Sequence, residues 1–162
     1  MTIREKIDSI NKMTEERKIL IKESKTVEEV ELLKKMLKYT EEVYGEDSNS
    51  TIKLLNELGG TSKYIGEYDL GISCLQKALD IIEKKFGIDS ITYATTTLNL
   101  CEVYRFKGEL NKLENLYKTV ISIYEKYKMI DSYEYASVCN NLGLYYQDTA
   151  QYEKALELHL KS

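Results

Sequence analysis

Few of the residue types that make and break bonds stand where they could cooperate. His159 is the sole histidine, so no histidine pair is available to hold a metal. It falls on an apolar helical stripe, in register with Leu75 and Tyr117, and reads as a packed imidazole. Cys74, Cys101 and Cys139 are an odd number at no metal-like spacing, all at apolar positions. They read as reduced core thiols of a cytosolic protein. Gly59-Gly60 is helical, in register with Cys101-Glu102, and no phosphate loop or dinucleotide fingerprint occurs. Carboxylates are plentiful, but nothing pairs two of them in a cleft. The expectation is no enzyme activity, no metal and no cofactor. What the chain does offer is hydrogen-bonding chemistry at a fixed interval. Asn99 and Asn141 stand 42 residues apart. An asparagine side chain carries both donor and acceptor and can grip a peptide amide at two points.

That interval governs the whole chain. Leu58, Leu100 and Leu142 recur at 42 residues, as do Asp47-Ser48, Asp89-Ser90 and Asp131-Ser132. Gly66-Glu67 falls on Gly108-Glu109, Tyr93-Ala94 on Tyr135-Ala136, and Tyr104 on Tyr146. A fixed period of this size means stacked supersecondary units. The question becomes what the surface binds.

Composition narrows the answer. The net charge is −4 and the pI about 5.2, so no basic patch for nucleic acid is expected. No window has the uninterrupted apolar length of a membrane span, and residues 1–22 contain no apolar signal core. A cytoplasmic protein without nucleic-acid or membrane partners is expected. Proline is absent, which suits long helices, because an interior proline costs about 3 kcal/mol. Lys, Ile, Tyr and Asn are abundant while arginine occurs only at Arg4, Arg17 and Arg105. That balance points to an AT-rich bacterial genome.

Each unit reads as two antiparallel helices. In the third, Asp89-Ser90 offers an N-cap, and Ala94, Thr97, Cys101 and Tyr104 form one stripe. Gly108-Glu109 marks the turn, and Leu113, Tyr117, Val120, Ile121 and Tyr124 form the second stripe. Asp131 with Glu134 suggests a capping box for the next unit. In the second unit the helices are expected at about 50–65 and 68–86, the latter with Ile72, Leu75, Ala78, Leu79, Ile82 and Phe86 inward. The first unit is degenerate. Its second helix fits, with Val30, Leu33, Met36, Leu37, Val43 and Tyr44, but Glu16 and Arg17 stand where later units have Leu58-Gly59 or Leu142-Gly143. A polar terminal unit suits a solenoid cap. The expected organisation is one domain over 1–162. Residues 1–45 form a capping pair, 46–88 and 89–130 full repeats, and 131–162 a repeat that stops within its second helix. This last feature suggests a fragment of a longer protein, with an apolar edge near Tyr152, Leu156 and Leu160 open to self-association.

The stretch from Asn140 to Leu158 resembles the tetratricopeptide repeat. It has the small residue after a leucine (Gly143), the tyrosine three later (Tyr146), the aromatic after the turn (Tyr152) and the alanine of the second helix (Ala155). Leu58, Gly59, Gly66, Tyr68 and Ala78 repeat parts of the pattern, as do Leu100, Tyr104, Gly108 and Leu110. The period of 42 is similar to the longer variant of kinesin light chains and bacterial regulators, with Asn-Asn-Leu-small in the first helix. The loop proline of the family is missing here.

The resemblance implies an all-α fold, a right-handed α-solenoid of stacked antiparallel helix pairs. Its concave face would be lined by the first helix of each pair. Carried over by position, that face takes Lys53, Asn56, Glu57, Lys63 and Tyr64 from the second unit. Thr95, Asn99, Glu102, Arg105 and Phe106 come from the third, and Ser137, Asn140, Asn141, Gln147 and Asp148 from the fourth. A protein or peptide ligand is the implied partner. Lys63 and Arg105 can meet an acidic group, and Tyr64 and Phe106 add apolar area. The asparagines can contact peptide or bond neighbouring helices, and the two roles can coexist. The carboxylate clamp of chaperone-tail binders is not evident, since its asparagine site holds Gly60, Glu102 and Leu144. The other functional expectation is a regulatory module of a larger enzyme or transcription regulator.

Overall fold

The structure is a computed structural model that describes residues 1–149 and 152–161. Ala150, Gln151 and Ser162, and the side chains of Tyr152, Glu153 and Ala155, lie outside the described set. So do the parts of the repeat pattern that fall on them. The described residues contain eight α-helices and no strand. They are α1 (Ile3–Lys22), α2 (Thr26–Tyr44), α3 (Asn49–Ser62), α4 (Tyr68–Phe86), α5 (Ile91–Lys107), α6 (Leu113–Lys126), α7 (Tyr133–Asp148) and α8 (Tyr152–Lys161). A 3-10 turn, Lys63–Ile65, extends α3. The chain divides into two compact units, Met1–Ile81 and Ile82–Ser162.

Serine sets the start of three helices. The hydroxyls of Ser48, Ser90 and Ser132 accept from the backbone N–H of Thr51, Tyr93 and Tyr135 at 3.1, 3.2 and 3.1 Å. Each satisfies a donor that the first turn leaves open. The capping box expected from Asp131 and Glu134 is not formed, because Ser132 occupies the cap. A complete box is found instead at the N-terminus, where Thr2 and Glu5 exchange two bonds of 3.1 Å. Gly66 and Gly108 reverse the chain in the left-handed region, at φ 75° and 87°, which glycine enters without a Cβ clash.

In the first unit α1 packs on α2 and α2 on α3. Met13, Val30, Leu33, Met36, Leu54, Leu55, Leu58, Cys74 and Ala78 form its core. In the second unit α5 packs on α6, α6 on α7 and α7 on α8. Its core includes Ala94, Cys101, Tyr104, Leu113, Tyr117, Val120, Tyr124, Val138, Cys139 and Leu142. Two of the recurring tyrosines pack with anchored hydroxyls: Tyr146 donates to Glu114 at 2.8 Å and Tyr135 to Glu125 at 3.2 Å.

Three details depart from the expected stripes. Tyr44 and Phe86, each the last residue of its helix, are about half exposed. Ile123 is buried on α6, while Ile121 is only partly covered. Helix α6 begins at Leu113, three residues later than the register of α4 implies, because Leu110 to Leu113 close a turn (Leu113 N–H to Leu110 C=O, 3.2 Å).

The small positions of the repeat are spacers. A Cβ on Gly59 would lie 2.6 Å from Leu75 Cγ and 3.1 Å from the Gly71 carbonyl oxygen. One on Gly143 would lie 2.9–3.2 Å from three imidazole atoms of His159. His159 therefore packs where Leu75 packs, in accordance with its register.

Candidate functional site

The first unit presents a cleft of about 320 Å3 among α1, α2 and α3. Ile10, Ile21, Met36, Tyr44 and Leu54 give it apolar walls, and Arg17, Lys18, Lys53 and Glu57 give it charge. Arg17 is anchored on both sides. Its Nε donates to Glu29 Oε2 at 3.0 Å and its Nη1 donates to Glu57. Glu29 is buried (7% exposed), so this cation neutralises a carboxylate that α2 carries inside. Lys53 makes no ion pair among the described residues. Of the positions carried over from the family, Lys53 and Glu57 line this cleft. Asn56 turns its amide back to the Ile52 carbonyl at 3.2 Å. Lys63 and Tyr64 sit in the 3-10 turn outside the cleft lining, with the ammonium 5.0 Å from the ring centroid.

The second unit presents a smaller cleft, about 120 Å3, among α5, α6 and α7. Arg105, Asn141 and Asp148 line it with Leu110, Leu113, Tyr117, Leu144 and Tyr145. Glu102 organises the polar side. It receives Arg105 Nη2 at 2.6 Å and Asn141 Nδ2 at 3.5 Å. The Glu102 carboxylate raises the Arg105 guanidinium further above its ordinary value through that hydrogen bond. The guanidinium also lies 5.6 Å from the Phe106 ring centroid. Thr95 is exposed, its hydroxyl 3.5 Å from that of Tyr124. Asn99 and Ser137 are half-buried, and Asn140 and Gln147 are exposed.

Register alone brings Glu102, Arg105, Asn141 and Asp148 together. Arg17 and Tyr117 are participants that position did not nominate. Arg17 was legible only as a misfit in a small-residue column, and Tyr117 only as core.

The three thiols are buried and unbonded to one another. Burial lifts all three above the usual thiol range, Cys101 to about 12. Among the described residues no three His, Cys, Asp or Glu side chains converge as a metal site. No described helix is long and apolar enough to cross a membrane. Leu156 and Leu160 are strongly exposed.

With this geometry in view, comparison with known proteins gives a consistent picture. Residues 92–162 match the tetratricopeptide repeat family model. No curated protein matches the chain in sequence. Among solved structures, a kinesin-light-chain-type protein of Podospora anserina with nearly identical TPR-like repeats superimposes with a TM-score of 0.80 at 18% identity, covering 92% of this chain and 71% of that one. BtubC (BKLC) from P. vanneervenii gives 0.76 at 16%, covering 88% and 57%. MamA gives 0.66 at 20%, covering 94% and 75%. At these identities the likeness is one of fold. Residues 92–162 are tetratricopeptide repeat by sequence, and most of the chain shares the fold of these repeat structures.

Proposed function

We propose that the chain is a non-catalytic protein-interaction scaffold that holds a peptide or protein segment along the polar face of its first-of-pair helices. One observation carries this reading. On α5 and α7, one face is sealed by Ala94, Cys101, Tyr104, Val138 and Leu142, while Thr95, Arg105, Asn140, Gln147 and Asp148 remain exposed. None of these polar residues is needed for packing, and all but Arg105, whose guanidinium Glu102 holds, are available to a ligand. Lys53, Asn56, Lys63 and Tyr64 are assigned to the same role in the first unit, and Asn99, Glu102, Phe106 and Asn141 in the second. Buried, unpaired thiols favour a reducing compartment, and we place the protein in the cytoplasm. The test is a peptide array probed with the whole chain and with an Asn99→Ala, Arg105→Glu variant of unchanged melting temperature. The scaffold reading expects the variant to lose captured peptides. Identical capture patterns would overturn the assignment of this face.

A further inference from the structure

Helix α1 runs for 20 residues, yet Met13 is its only fully buried side chain. Helix α3, with 14 residues, buries seven. What fastens α1 is charge. Arg17 bonds Glu29 of α2 and Glu57 of α3, and Lys6 meets Glu42 of α2 at 2.8 Å. Open space lies beside the helix. Ile10 and Ile21 of α1, Met36 of α2 and Leu54 of α3 all line the cleft of about 320 Å3. Apolar groups that could meet across it forgo part of their contact. The joint to α2 is short and exposed: Glu23, Ser24 and Lys25. Ser24 has φ 58°, in the left-handed region that a residue with a Cβ enters at a cost. Lys25 starts α2 without a side-chain cap. Sparse apolar burial and a strained, exposed joint mark a segment that opens before its surroundings do.

We propose that α1 is a hinged lid. It swings about Ser24 as one helix while α2 and α3 stay packed, and it controls access to the ligand positions of the first unit. That control rests on the peptide-binding reading above. Closed, α1 lends Thr14, Arg17 and Lys18 to the wall of the cleft that holds Lys53, and Arg17 ties up Glu57. Open, α1 withdraws those side chains, and both Lys53 and Glu57 are released. The backbone hydrogen bonds of α1 run within the helix, and Thr2 and Glu5 cap its start, so it can move without unwinding. Opening also returns the buried Glu29 carboxylate to water, which offsets part of the loss of its cation. The two bonds of Arg17 are the latch.

The test is hydrogen exchange of the whole chain, read by mass spectrometry on peptides from α1 and α3. The amides of α1 are expected to exchange roughly tenfold faster than those of α3, with little dependence on dilute urea, the signature of local opening. Glu57→Ala cuts the bond to α3 and leaves Arg17 on Glu29. It should speed α1 severalfold and leave α3 unchanged. If that variant fails to fold, Arg17→Lys serves instead, because one ammonium keeps the charge beside Glu29 without the two-sided reach of the guanidinium. Exchange of α1 as slow as that of α3 and rising with it in urea would overturn the lid. So would an α1 rate that neither folded variant changes. The measurement uses no ligand, so its failure leaves the scaffold reading standing. A chain that opens α1 but captures no peptide on the array sinks the scaffold alone.

Discussion

Two helix pairs of the first unit solve the same spacing problem by opposite means. Arg17 on α1 and Gly59 on α3 occupy equivalent positions, 42 residues apart. On α3 the position is empty of side chain, and Leu75 of α4 fills the space. On α1 it holds the longest cation available, which reaches Glu29 of α2 and Glu57 of α3. One pair is fastened by close approach and the other by charge. A repeat register therefore fixes where helices meet, but not the chemistry of the meeting. The two solutions also fail differently, since an uncompensated buried carboxylate and an added methyl are penalised by different physics.

The largest effect is expected from Arg17→Ala. It leaves Glu29 buried without its cation and should cost about 3 kcal/mol in urea unfolding. Replacing Arg17 by Met together with Glu29 by Leu should recover most of that loss, because apolar substitutes need no partner. If Arg17→Ala alone is neutral, the fastening by charge is wrong.

Gly59→Ala comes next. The new Cβ meets a side chain and a backbone oxygen at once, so overpacking of about 1–3 kcal/mol outweighs the roughly 1 kcal/mol gain in helix propensity. Its neighbour is the control. A Cβ on Gly60 meets nothing within 4 Å, and Gly60→Ala should stabilise by about 0.5–1 kcal/mol. Opposite shifts in melting temperature are expected from two adjacent glycines.

Cys101 is the third occupant of this column. Its thiol is raised by burial from 9.0 to about 12. The folded state favours the protonated form, so its contribution is complete below pH 9 and declines as pH rises towards 12. At pH 10 the loss from this thiol is about 1 kcal/mol. Cys101→Ala should flatten that part of the pH–stability curve, and an unchanged slope would count against it.

The smallest effect is expected at Gly143→Ala. The obstructing atoms belong to the ring at the far end of the His159 side chain, which is only half-buried. Steric cost and propensity gain nearly cancel, within about 0.5 kcal/mol. A loss as large as that of Gly59→Ala would mean that the imidazole is held as firmly as Leu75.

Most of the fold was legible because its signals are local and repeated. Asp47-Ser48, Asp89-Ser90 and Asp131-Ser132 mark three helix starts, although at the third the cap is Ser132 and not the expected Asp131, and Gly66 and Gly108 mark two reversals. The late start of α6 was not legible, because the choice between turn and helix at Leu110 depends on its surroundings. The candidate site was legible only by position. Sequence places Glu102, Arg105, Asn141 and Asp148 on the right helices, but not the 2.6 Å bond that commits Arg105 to Glu102. Nor does it separate Tyr117, whose hydroxyl lacks a partner, from Tyr146, whose hydroxyl has one. Both look like core tyrosines until their oxygens are located.

The serine caps bear on the order of events in folding. Each closes between residues three apart, so it forms without tertiary structure. A helix nucleus is otherwise improbable, and these hydroxyls bias its location while the chain is still expanded. The packing that follows joins helices that are consecutive in sequence, which keeps loop closures short and refolding fast. If the starts form first, Ser90→Ala should slow refolding rather than hasten unfolding. The boundaries of this molecule would then be written into its kinetics before any of its surfaces exist.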